Sequence, residues 1–159
     1  MNRIADISPG QFLEEELLRT IPLTRAMQLR VQEFTGVGLE LRAPLPPNVN
    51  DKGCAFGGSM ASLMTLACWG LARLALRERD FEPDIYVQDS QIEYLAPVWG
   101  DLAVRALAAP GHTLADFVDM YAERGKARIT LLASIDWDGQ TAARMHARFV
   151  AKRRQEYTE

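Results

Sequence analysis

The residues best suited to chemistry lie in one stretch. Asn48-Val49-Asn50-Asp51-Lys52-Gly53-Cys54-Ala55-Phe56-Gly57-Gly58 is a polar loop with two amides and an acid that runs into a double glycine. Ser59 to Ala72 follow without a charge and read as an apolar helix. Paired glycines let backbone N–H groups approach a ligand closely, and a helix start carries partial positive charge. Such a start can hold a carbonyl oxygen that becomes negative during reaction. Gly57 and Gly58 are thus candidate oxyanion donors, at what would be an acyl-group site. Asn50 could place a water or hold the carbonyl, or only satisfy turn backbone. Thr65 could position water, or bond a carbonyl one turn back. Two acids could serve as general base. Asp51 adjoins Asn50, and Asp89 interrupts the dry face of a strand between Val87 and Gln91, where burying a carboxylate without a partner is costly. Ser59 reads as a cap of the helix before it reads as a nucleophile. Cys54 has no histidine near it in sequence to lower its pKa, and His112 and His146 read as structural or exposed.

Several elements must position that loop. Ser8-Pro9-Gly10-Gln11 is a helix start, with a Ser cap, a Pro at the first position and a Gln three residues on. Phe12, Leu13, Leu17 and Leu18 form its apolar face, and Pro22 is expected to stop it. From Met27 the period becomes two: Met27, Leu29 and Val31, then Val37, Leu39 and Leu41, predict a strand pair with one dry face. After the apolar helix, residues 84–96 are strand-like, with Ile85, Val87 and Leu95 on one face and Tyr86, Ile92 and Tyr94 on the other. Leu102, Val104 and Ala106 resume the alternation. Thr113 caps a short helix through Leu114, Phe117, Val118 and Tyr121 that ends at Gly125. Asp138-Gly139 is a hairpin turn between two long strands. The order predicts an α+β domain in which an antiparallel sheet of about six strands wraps one long buried helix, with an N-terminal helix and a small inserted helix. No parallel crossover pattern supports a doubly wound fold.

Composition bounds the rest. The chain has 159 residues, 48% hydrophobic and 25% charged, which suits a single globular domain spanning residues 1–159. A net charge of −3 offers no footprint for nucleic acid. Two cysteines in no metal-ligand spacing argue against a disulfide framework or a metal site, and reduced thiols suit a cytoplasmic location. The uncharged run from Gly53 to Ala72 is 20 residues, long enough on paper for a bilayer. Its helical part before Arg73 is only 14 residues, which favours a buried core helix over a membrane span.

Ile21-Pro22-Leu23-Thr24-Arg25-Ala26-Met27, Ala43-Pro44-Leu45, Asn48-Val49-Asn50, Lys52-Gly53, Ala55-Phe56-Gly57-Gly58-Ser59, Trp69-Gly70-Leu71, Gln88-Asp89-Ser90 and Tyr94-Leu95-Ala96-Pro97 together resemble the YiiD C-terminal thioesterase family of the hotdog fold, over residues 10–151. The resemblance implies a homodimer, with the possibility of a tetramer, whose acyl sites lie where two chains meet. In the broader phenylacetate-type hotdog thioesterases the comparable pattern is Asn-x-x-Gly-x-x-His-Gly-Gly, with an Asp further along the helix. Asn50, Gly53, Gly57 and Gly58 match it, whereas Phe56 stands at the His position and Thr65 at the Asp position. The implied activity is hydrolysis of an acyl-CoA or acyl-carrier-protein thioester, without a metal and without a cofactor beyond the carrier itself. Asn50, Gly57, Gly58, Thr65 and a partner-chain Asp89 are the expected catalytic set, with Asp51, Phe56, Ser59 and Ser90 binding substrate. Arg144, Arg148, Lys152 and Arg153 could meet coenzyme A phosphates or form a solvated basic face. The alternative reading is a non-catalytic acyl-binding or interaction module; a dehydratase is disfavoured because Phe56 replaces the expected histidine.

Overall fold

A computed structural model describes residues 7–155. The first helix, α1 (Pro9–Thr20), opens on the expected capping box, Ser8 and Gln11 each satisfying the other's backbone N–H. Pro22 does end α1, but it also opens a second helix, α2 (Pro22–Met27), at whose first turn a missing N–H costs nothing. Met27 therefore belongs to a helix and not to the strand pair expected there. Gln28 turns the chain through a left-handed conformation (φ 57°), Leu29 is buried, and β1 (Arg30–Phe34) begins only then. Next come β2 (Gly38–Ala43), a single 3-10 turn at Pro46–Asn48, the central helix α3 (Gly57–Arg77), β3 (Asp84–Tyr94) and β4 (Leu102–Ala108). The chain closes with α4 (Leu114–Arg124), β5 (Lys126–Trp137) and β6 (Gln140–Lys152). Thr113 caps α4 by accepting from the Asp116 N–H, and Gly125 ends it at φ 68°. Asp138 and Gly139 both take positive φ, the geometry of a two-residue type I′ turn.

All pairings are antiparallel, and the strands lie in the order β1-β2-β4-β5-β6-β3. The sheet wraps α3, which packs against β2, β3, β4, β5 and β6. Leu63, Met64, Ala67, Cys68 and Leu71 of the helix meet Leu41, Val104, Leu131, Ala147 and Phe149 of the sheet in one buried core. The expected α+β architecture is thus present.

The central helix is longer than expected, 21 residues, because Arg73 does not end it. The Arg73 side chain is almost fully buried, holds Glu16 of α1 through two 3.1 Å hydrogen bonds, and lies over the Phe12 ring. The helix is therefore long and apolar enough to cross a membrane, so the length argument against a span fails. Its burial within the sheet accounts for its apolar character.

Candidate active site

The loop before α3 is organised by its two amides. The Asn48 side chain is buried and its Nδ2 donates to the carbonyls of Met27 (3.0 Å) and Pro44 (2.8 Å), while the Asn48 backbone carbonyl accepts the Phe56 N–H at 2.7 Å. One residue thereby ties the end of α2, the end of β2 and the entry to α3. Asn50 folds the loop on itself. Its Oδ1 accepts from the N–H of Lys52 (2.8 Å) and of Cys54 (3.2 Å), and its Nδ2 points at Cys54 Sγ. Gly53 completes this turn at φ 92°, a conformation that favours glycine, and Val49 bridges to Ala55.

This frame presents the start of α3. Phe56 is the N-cap and supplies no side-chain bond; the first intrahelical bond runs from Met60 N–H to Phe56 O at 3.1 Å. The N–H groups of Gly57, Gly58 and Ser59 therefore have no acceptor among the described residues. Ser59 sits at the third helical position and does not cap the helix. Neither glycine has positive φ, so the backbone does not demand them. The missing side chains instead leave room: a Cβ at Gly58 would run into the Phe56 ring, and one at Gly57 would rest 3.5 Å from the Tyr94 ring. Tyr94, from the end of β3, donates its hydroxyl to the Gly57 carbonyl at 3.2 Å. Phe56 and Tyr94 at this helix start, and Trp99 beside Gly53 of the preceding loop, leave about half of their surface exposed.

The other candidates lie elsewhere. Thr65 is two turns further along α3; its hydroxyl donates to Ala61 O at 2.8 Å. Asp51 is exposed and paired with Lys52 at 3.0 Å, and that contact holds its carboxyl below its ordinary value. Asp89 does not interrupt a dry face. A bulge between Val87 and Asp89 shifts the register, so Ser90 and Ile92 pair with the inward Ala147 and Met145, while Asp89 pairs with the outward Arg148. Arg148 Nε lies 2.9 Å from both carboxylate oxygens, and this hydrogen-bonded guanidinium holds Asp89 below the usual carboxylate range. Asp89 therefore projects from the face of the sheet opposite α3. Ser90 is exposed on the helix side of the same edge strand.

Asn48 and Tyr94 are the residues at this helix start to which sequence reasoning assigned no role. Asn48 stood in view as the loop's first amide, and its spacing before the glycines was the available signal. Tyr94 ends a strand before Leu-Ala-Pro, but its contact with Gly57 spans 37 positions and has no local signature.

Residues 10–153 match the model of the family described as "putative thioesterase (yiiD_Cterm)". The chain belongs to this family. A solved structure of the thioesterase so described from Shewanella oneidensis is 31% identical, with a TM-score of 0.82 over 91% of this chain and 97% of that one. A protein of unknown function from Chlorobaculum tepidum TLS is 30% identical, with a TM-score of 0.87 over 94% and 99% of the two chains. A Haemophilus influenzae thioesterase at 13% identity shares the fold, with a TM-score of 0.67 over 92% and 94%. The architecture is that of the hotdog fold, and the family's activity class is thioester hydrolysis.

Proposed function

We propose that this chain hydrolyses an acyl-CoA or acyl-carrier-protein thioester at the start of α3. The observation that carries the reading is the row of free N–H groups on Gly57, Gly58 and Ser59, aimed outward from a long helix whose dipole favours negative charge there. Water adds to the thioester carbon, the carbonyl oxygen takes the developing charge at these N–H groups, and collapse breaks the carbon–sulfur bond to release a carboxylic acid and the carrier thiol. The half-exposed Phe56, Tyr94 and Trp99 supply an apolar rim for the acyl chain. The exposed β3 edge supports a homodimer that would close this rim with a second chain. No role as base falls to Asp89 of the same chain, which faces away and is held ionised by Arg148. Asn50 acts by shaping the loop, since both ends of its amide are engaged there.

Removing one donor without disturbing the helix tests the reading. Proline is compatible with the first helical position, and Phe56 already has the extended backbone (ψ 132°) that a following proline requires. Gly57→Pro deletes one N–H, and a thiol reagent reporting carrier release should show kcat lowered by about 10²–10³-fold. Gly57→Ala, which keeps the N–H, should stay within a few-fold of the parent. Equal turnover in Gly57→Pro and Gly57→Ala would remove the oxyanion site. Acyl-CoA binding without turnover in the parent would favour an acyl-binding module, consistent with the lack of a free carboxylate at this helix start among the described residues.

A further inference from the structure

Three cations meet at the end of the sheet remote from the α3 start. Lys126 opens β5 and Lys152 closes β6, and the two stand directly opposite each other in the antiparallel register. Like charges so placed destabilise a sheet, and on its other side Lys152 stands opposite Asp84 of β3, which pairs with Arg154 and not with Lys152. Arg153 follows, its guanidinium packed against Gly125 and its backbone N–H donating to the Gly125 carbonyl at 3.2 Å. With Asp84, Tyr86 and Gln155 these residues line a cleft of about 350 Å³. Asp84 is the one acid in that lining, and it is paired with Arg154 at 3.8 Å. Among the described residues, no carboxylate lies within ion-pair distance of Lys126, Lys152 or Arg153. The other basic candidates on β6 are engaged, Arg144 by Glu93 and Arg148 by Asp89.

The aromatic neighbour narrows the ligand. Tyr86 is 53% exposed and turns part of its surface into the cleft. Cations beside an open aromatic ring match a nucleoside phosphate, whose anion takes charge-assisted hydrogen bonds and whose base stacks. We propose that this cleft binds the phosphorylated adenosine end of coenzyme A, an inference that rests on the acyl-CoA half of the function proposed above. The cleft and the α3 start of one chain lie at opposite ends of β3. Asp84 and Tyr94 are ten steps apart on an 11-residue strand, about 33 Å at ~3.3 Å per residue, beyond the reach of one pantetheine arm. Two chains paired antiparallel along β3 would bring the Asp84 end of one strand beside the Tyr94 end of the other. The cleft of each chain then serves the acyl site of its partner.

Calorimetric titration of the whole protein with coenzyme A, adenosine 3′,5′-bisphosphate and inorganic phosphate tests the proposal. The parent should bind the first two with similar affinity and inorganic phosphate far more weakly. Lys126→Gln combined with Lys152→Gln should weaken coenzyme A binding by about tenfold or more, the scale of losing hydrogen bonds to a charged group. Arg153→Gln, just beyond the last strand, should act in the same direction and stands in if the lysine variant fails to fold. The ratio of kcat/KM for acyl-CoA to that for a nucleotide-free S-acyl-N-acetylcysteamine should fall in parallel. Coenzyme A affinity equal in the parent and in a folded variant would overturn the proposal, as would phosphate binding as tightly as the bisphosphate. Absence of turnover on every thioester, with coenzyme A binding intact and sensitive to Lys126 and Lys152, would sink the hydrolase reading and leave the cleft standing. Turnover of acyl thioesters with no coenzyme A binding at the cleft would do the reverse.

Discussion

Asn50, Thr65 and Asp89 each have a hydrogen-bond partner within the chain. Asn50 closes its own turn, Thr65 bonds back along α3, and Asp89 grips Arg148 across the β3–β6 edge. The Asp89 pair has a pH signature. Its carboxyl is held lower in the folded protein than in the unfolded chain, so the pair contributes stability at neutral pH. That contribution is lost as pH falls below the unfolded value of about 3.9 and through the lower folded one. Asp89→Asn should therefore be less stable than the parent near neutrality, with the gap closing in acid; urea unfolding at several pH values measures it. The pair is solvent-exposed, so added salt should shrink the difference. Thioester turnover by Asp89→Asn should stay near that of the parent, and a collapse in turnover would return this residue to the chemistry. Local sequence could nominate these residues because polar types among apolar neighbours stand out. It could not show their partners, which lie up to 59 positions away.

At the scale of elements, α3 depends on α1. The Arg73–Glu16 pair joins the two helices with side chains 4% and 15% exposed, so removing one member strands a buried charge. Glu16→Ala should cost about 3–5 kcal/mol in chemical denaturation, the range for breaking a buried pair. A cost near zero would mean that Glu82, 3.7 Å from Arg73, takes over. The same pair explains why the expected end of the central helix was too early: a charge at the end of an apolar run reads as solvent contact unless its partner is known. Pro22 is the complementary case. A proline does stop a helix, yet it equally starts one, and only packing decides which. The Ser8–Gln11 capping box, the Thr113 cap, the Asp138-Gly139 hairpin and the Gly125 terminus were legible because each depends on residues a few positions apart.

At the scale of the whole molecule, β3 is an 11-residue edge strand with Tyr86 and Val87 about half exposed. An edge of that length leaves backbone groups free to pair with another chain, and the proposed homodimer would use them. Light scattering on the purified protein should give twice the 17.8 kDa chain mass. Val87→Lys, which places a charge on that edge, should shift the population toward the single-chain mass and lower acyl-CoA turnover with it. A parent protein that stays at 17.8 kDa at all concentrations would remove the shared-site arrangement.

By itself, the sequence determined the periodicities, caps and turns, the apolar character of α3 and the glycine pair at its start. These follow from interactions a few residues long, together with the burial that an apolar helix demands. Tertiary structure alone decided which face each polar residue serves. A one-residue bulge in β3 carries Asp89 to the outer face and Ser90 to the inner one, and no composition or period encodes that shift. It also decided that three separated cations, Lys126, Lys152 and Arg153, share one cleft, because strand register brings together what 27 residues of chain hold apart.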